Sequence, residues 1–140
     1  MSGSVCVFCD IINNKEKKEE VFIVSETEKT LAILDCSPVS NGHILLITKE
    51  HFVDVVEVDK ESWLEFLLLL KKLIPKIKKN LNVENFNIVN NIGSLAEQSV
   101  FHLHIHLIPK YKEDEGFSWK VEKKTELISL KKIFKKIGTL

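Results

Sequence analysis

Histidines occupy every second position in His102-Leu103-His104-Ile105-His106, with Gln98-Ser99-Val100-Phe101 before them and Leu107-Ile108-Pro109 after. Residues i, i+2 and i+4 of a strand share one face. A strand over residues 100–108 therefore sets three imidazoles in a row about 6–7 Å apart. Phe101, Leu103, Ile105 and Leu107 then line the opposite face and can meet a core. Buried singly, each ring needs its own hydrogen-bond partner, so three at this spacing point to chemistry. Two kinds fit. An H-x-H pair on a strand can hold a catalytic metal with positions open to water. Alternatively, one imidazole is a nucleophile and its neighbours handle phosphate and protons. Histidine suits attack on phosphorus because its free nitrogen is unprotonated near pH 7 and the phospho-imidazole hydrolyses readily.

Cys6-Val7-Phe8-Cys9 supplies two thiols at the spacing of half a zinc site. By itself the pair also fits two buried thiols or a redox couple. A zinc site needs two further ligands, for which histidines are the natural suppliers. Cys36 stands alone, and three cysteines argue against a disulfide framework.

The elements that must position these residues follow from periodicity. Residues 8–13 read as a short helical turn and 14–20 as a charged loop. Residues 21–25 and 30–34 read as strands joined by a hairpin-like turn, and 43–48 as an apolar strand. Asp59 or Lys60 opens one long helix to about Leu81, with Trp63, Leu64, Leu67, Leu68, Ile74 and Ile77 at helical spacing. Pro75 lies inside it and should kink or interrupt it. Residues 86–89 form a further strand, 90–98 a polar loop, and the histidine strand follows. Residues 111–116 read as a surface loop. Residues 126–137 read as a basic amphipathic helix that packs its apolar stripe (Leu127, Leu130, Ile133, Phe134, Ile137) on the body. The class is α+β: a five-stranded antiparallel meander sheet with one long helix and short N- and C-terminal helices.

Length bounds the rest. The chain of 140 residues is expected to be a single domain, with a core over about 5–120 and a helical tail over 121–140. The 20 basic and 20 acidic residues balance to zero net charge, which argues against a nucleic-acid or membrane partner. No apolar run approaches the ~18 residues of a membrane span. No basic stretch followed by an apolar core opens the chain, so a cytoplasmic location is expected. All the basic residues are lysine. Any phosphate must therefore be held without a guanidinium fork, by backbone N–H groups, histidine, lysine or neutral polar groups.

The ordered set Leu34-Asp35, Gly42-His43, Lys49-x-His51, Asn91-Ile92-Gly93-Ser94-Leu95-Ala96-Glu97-Gln98-Ser99-Val100 and the three alternating histidines resembles the histidine triad (HIT) family of nucleotide hydrolases and transferases. The resemblance extends to Cys6-x-x-Cys9 and covers roughly residues 5–120. It implies that His104 attacks the α-phosphate and that His106 binds a phosphate oxygen. Ser99 would hydrogen-bond the phosphate or protonate the leaving group, and Asn91 would touch either. Gln98 belongs to the same nucleotide-binding loop, and Asp35 would accept from the ribose hydroxyls. Phe8, Ile12, Leu34 and Ile44 are candidate walls of a base pocket, with ordinary core packing as the competing reading.

By the same resemblance, Cys6, Cys9, His51 and His102 hold a structural zinc, since a closed Cys₂His₂ set leaves no open position. The implied activity is hydrolysis of a purine nucleoside phosphoramidate through a nucleotidyl-histidine, releasing a nucleoside monophosphate. Family members that cleave diadenosine polyphosphates share the strand but resemble each other in having glutamine where Asn91 stands, so asparagine favours the phosphoramidate. The implied assembly is a homodimer sharing the long helix, with Trp63, Phe66, Leu67 and Leu70 as interface or core and residues 116–119 reaching toward the partner's site. Three positions depart from the family pattern: Glu97 for a glycine, Thr48 for a proline and Ile92 for a small or polar residue. A carboxylate at Glu97 bears on catalytic rate, and it favours a nucleotide-binding protein with weak catalysis as the rival reading.

Overall fold

The computed structural model describes residues 6–122 and 126–140. Five strands, β1 (Ile23–Glu26), β2 (Thr30–Leu34), β3 (Ile44–Thr48), β4 (Asn85–Val89) and β5 (His104–Lys110), form one sheet. Every neighbouring pair is antiparallel, in the order β1-β2-β3-β5-β4. Only the first three strands form a meander. The helix between β3 and β4 carries the chain one strand too far, and β5 returns into the gap. The histidine strand is thereby bonded on both edges, to β3 through Ile47↔His104 and Leu45↔His106 and to β4 through Val89↔His106.

Each face of the sheet buries its own cluster. On one face Ala32, Ile44, Leu46, Ile105 and Leu107 pack against Phe66, Leu69, Leu70, Leu73 and Ile77. These last residues recur every three or four positions along the long helix Lys60–Leu81, the spacing of a buried helical stripe. Asp59 caps that helix by accepting from the Ser62 N–H at 3.0 Å. The Glu65 carboxylate reaches across to the β1–β2 turn, accepting from the Thr27 hydroxyl and from the Lys29 N–H at 2.7 Å. Pro75 does not interrupt the helix. It and Lys71 both lie on the exposed side, so the carbonyl that proline leaves without a donor faces water.

On the other face Leu31, Ile33, Leu45 and Ile47 pack beneath Phe8, from the short helix Val7–Asn13. Alternation puts His104 and His106 on this face, beside their partners Ile47 and Leu45. The expected charged loop at 14–20 instead holds a short helix, Lys15–Glu19, because Asn14 Oδ1 accepts from the Glu16 and Lys17 N–H groups. The C-terminal helix spans only Leu130–Ile137. Leu127, Leu130, Phe134 and Ile137 are exposed rather than packed on the body. Trp63 is partly buried, Phe66 and Leu70 belong to the core, and Leu64, Leu67, Leu68 and Leu81 are exposed on the helix.

Phe66 is fully buried beneath the sheet. Phe66→Ala is expected to lower unfolding stability by about 3–5 kcal/mol, read from denaturant melts. A loss below about 1 kcal/mol contradicts this packing.

Candidate functional site

The strand expected from residue 100 begins at His104. Before it, the Leu103 N–H donates to the Phe52 carbonyl at 2.6 Å, turning the chain toward the loop after β3. His102 therefore lies outside the row and serves a different site, and Phe101 is exposed instead of facing the core. His104 Nδ1–H donates to the His102 carbonyl at 2.7 Å. That bond fixes the tautomer and leaves the Nε2 lone pair free. The ring meets Phe8 and His106 edge-on, at centroid distances of 5.0 and 5.2 Å. Burial holds His104 below its ordinary pKa, against the opposing pull of the His102 carbonyl and Asp35. The ring is held in one tautomer, with an unprotonated Nε2 available for bonding.

His106 is oriented by His43, a residue to which the sequence reading gave no role. The buried His43 ring accepts the Val39 N–H at Nδ1, 3.2 Å away, so its Nε2 carries the hydrogen. That hydrogen faces His106 Nδ1 at 2.9 Å, with Asp35 Oδ2 at 3.5 Å from the same His43 nitrogen. His106 Nδ1 accepts, and its Nε2–H is left as a donor for a ligand. Asp35 Oδ1 accepts from the Ser37 N–H at 2.8 Å. A sequence signal for His43 exists: it follows a glycine and opens an apolar strand. Gly42 has φ +89°, and a Cβ there would sit 2.5 Å from Leu81 Cδ1, so only glycine fits the turn that aims His43 inward.

The loop before β5 is tied down by Gln98. Its Oε1 accepts from the Gly93 N–H at 2.8 Å, and its Nε2 donates to the carbonyls of Val53 and Val100 at 2.8 and 3.3 Å. Gln98 is buried, and both ends of its side-chain amide are taken up by backbone groups. Asn91 lines a cleft of about 250 Å³ with His43 and His106. Gly116, Phe117 and Ser118 line that cleft in the same chain. Lys110 Nζ anchors that segment, donating to the Phe117 carbonyl at 2.8 Å. The Ser99 side chain is exposed and makes no hydrogen bond among the described residues.

Of the expected apolar walls, Phe8 and Ile12 lie on the imidazole face. Ile44 does not: it is buried in the helix-side cluster. Leu34 pairs with Ile44 and shares that side. Alternation brings Ile33, two residues before Asp35, to the imidazole face instead.

Cys6, Cys9, His51 and His102 converge beside this site. His102 Nε2–H donates to the Thr48 carbonyl at 2.6 Å, so Nδ1 keeps its lone pair. That nitrogen lies 3.3 Å from Cys6 Sγ, 3.5 Å from Cys9 Sγ and 3.1 Å from His51 Nδ1. His51 Nδ1 is 3.2 Å from Cys9 Sγ. A tetrahedral ion with S ligands at about 2.3 Å and N ligands at about 2.0–2.1 Å separates its ligand atoms by about 3.3–3.8 Å. The donor set can therefore hold a metal with little movement. Burial and the adjacent Cys6 push the Cys9 thiol up to about 11, so that thiol keeps its proton unless a cation replaces it. Asp35, His43 and His106 also cluster within 4.8 Å. They fit a metal poorly, because the Val39 N–H forces the hydrogen onto the His43 nitrogen that would have to ligate.

Burial, reinforced by the neighbouring His104 and His43, pushes His106 down to about 4, against the pull of Asp35. Burial lowers His43 as well, opposed by Asp35. A depressed histidine pKa contributes stability that is present above the unfolded value, about 6.5, and lost as pH falls through the folded one. NMR titration is expected to place the His106 midpoint near 4, with stability falling between pH 6.5 and 4. A midpoint near 6.5 contradicts the neutral cluster.

Comparison with known proteins supports the same assignment. A family model described as the HIT domain matches residues 15–113. The adenosine 5′-monophosphoramidase of Schizosaccharomyces pombe is 39% identical over 111 residues, covering 79% of this chain and 78% of that protein. The adenosine 5′-monophosphoramidase of Candida albicans is 33% identical over 142 residues, covering 97% and 91%. The crystal structure of a HIT family protein from Bacillus anthracis superposes with a TM-score of 0.82 at 34% identity, covering 97% of this chain and 96% of that one. The alternating histidines, the fold that carries them and these similarities agree: the chain belongs to the HIT domain family.

Proposed function

We propose that this protein hydrolyses purine nucleoside 5′-phosphoramidates through a covalent nucleotidyl-His104 intermediate and releases the nucleoside monophosphate. The observation that carries the reading is the bond from His104 Nδ1 to the His102 carbonyl, which leaves Nε2 with its lone pair toward the ligand. Nε2 attacks phosphorus in line and the P–N bond to the amine breaks. The departing nitrogen takes a proton from the Ser99 hydroxyl, which regains one from water. Water then attacks the P–Nε2 bond and frees the imidazole. His106 Nε2–H and Asn91 donate to the phosphoryl oxygens as charge builds there. Asp35 accepts from the ribose hydroxyls through the lone pairs that Ser37 and His43 leave. Phe8, Ile12 and Ile33 form the apolar side of the base site. The names of the two yeast relatives support a phosphoramidate over a diadenosine polyphosphate.

Cys6, Cys9, His51 and His102 would hold a structural zinc. The ion supplies cross-linking rather than chemistry, joining the start of the first helix, the loop after β3 and the approach to β5. Homodimerisation is supported by β4, which is an edge strand carrying the exposed Ile88, and by the exposed Leu64 and Leu68 on the long helix. A cytoplasmic location fits the three free thiols. No helix among the described residues is long and apolar enough to cross a membrane.

Mass spectrometry of protein mixed with an adenosine phosphoramidate is expected to find an adenylyl adduct on His104. His104→Ala should lower turnover by at least about 10³-fold while nucleotide binding stays measurable; near-native turnover in that variant refutes the mechanism. Metal analysis is expected to find one zinc per chain, lost in Cys9→Ser. Stripping it should lower the melting temperature by on the order of 10 °C. An unchanged melt after verified removal would overturn the structural role.

A further inference from the structure

We propose that Glu97 sets leaving-group specificity, favouring phosphoramidates whose amine carries a second, positively charged group. The inference rests on the phosphoramidase reading above and goes beyond it. Glu97 closes the single helical turn Ser94–Ala96. Its N–H donates to the Ser94 carbonyl at 3.0 Å, and its own carbonyl accepts from Asn91 Nδ2 at 3.4 Å. With φ 66° and ψ 24° it occupies the left-handed region, which favours glycine. A charged side chain is thus kept where the backbone would be more relaxed without one. The carboxylate is exposed and enters no ion pair among the described residues.

Position gives that charge a target. Glu97 lines a cleft of about 550 Å³ with Leu95, Phe117, Trp119 and Lys120. Phe117 and Ser118 also line the cleft that holds His106 and Asn91, so the two adjoin. Phe8 flanks His104 from the first helix. Phe8 meets His104, His104 meets His106, and His106 shares a cleft with Phe117, so a nucleotide laid along that row with its base beside Phe8 would carry the group beyond phosphorus toward Phe117 and Glu97. Lys120 is the one cationic side chain among the residues lining the Glu97 cleft, and it opposes Glu97 there, so the charge preference is modest. An ammonium meets the Glu97 carboxylate and the exposed face of Trp119. A carboxylate or polyphosphate meets repulsion from Glu97. In the reaction the P–N bond breaks, His104 Nε2–P forms, and the departing nitrogen gains one proton; the remote ammonium is unchanged.

The test compares kcat/KM for the full chain and for Glu97→Gln and Glu97→Gly on three adenosine 5′-phosphoramidates. Their amines carry, respectively, an ammonium, a carboxylate and no charge. The native protein is expected to prefer the ammonium compound over the carboxylate compound. Both variants should reduce that ratio by about two- to fivefold, the range of an exposed ion pair. The change should shrink in high salt, and rates on the uncharged amine should stay within about twofold. Glu97→Gly relieves the backbone conformation, so loss of folding does not confound it. A ratio unchanged in both variants overturns the role of Glu97. Native protein inactive on all three compounds overturns the phosphoramidase reading itself, and this inference with it.

Discussion

One hydrogen bond, from His104 Nδ1 to the carbonyl of His102, decides which ring nitrogen keeps its lone pair. It forms because the chain turns away from the sheet just before β5, bringing the His102 carbonyl within 2.7 Å of the ring two residues later. The same turn points the His102 side chain the other way. There its Nε2–H bonds the Thr48 carbonyl and its Nδ1 faces two thiols and His51. A single backbone deviation thus sends two histidines that are two residues apart into different clusters, and each ring's tautomer is set by a carbonyl.

The chemistry then proceeds without fixed cations at the reacting atoms. The chain has no arginine, and burial holds His43, His104 and His106 in the neutral form. A neutral imidazole is the nucleophilic form, and a donor N–H can stabilise developing phosphoryl charge without first losing a strong ion pair to water. The Val39 N–H imposes direction: it accepts no alternative tautomer of His43, whose Nε2–H in turn makes His106 Nδ1 an acceptor. One amide proton propagates through two rings to present a donor at the site.

The fold supplies the rigidity these bonds need. β5 is bonded along both edges, and its odd-numbered residues Ile105 and Leu107 anchor in the helix-side cluster. The intervening histidines cannot rotate to the other face without exposing that apolar pair. Gln98 holds the preceding loop against the segment after β3 through its bond to the Val53 carbonyl, and braces the loop itself through Gly93 and Val100. Function-bearing loops in this protein are therefore clasped, not merely connected.

The sequence by itself determined the period-two alternation of His104 and His106, the thiol pair at metal spacing, the long helix from its Asp59 cap to Leu81, and the absence of guanidinium chemistry. These are local properties, set by spacing and residue type. Tertiary structure alone decided where β5 starts, that Gln98 binds backbone, that His43 joins His106, and that Ile33 rather than Leu34 or Ile44 shares the imidazole face. The long helix also determines that β5 lies between β3 and β4, which no window of sequence encodes. The physical reason is common to all of them. Alternation states which residues share a face, but which face is covered and which groups meet across the fold depend on partners 40 to 100 residues away, such as Cys6 to His102 or Val53 to Gln98.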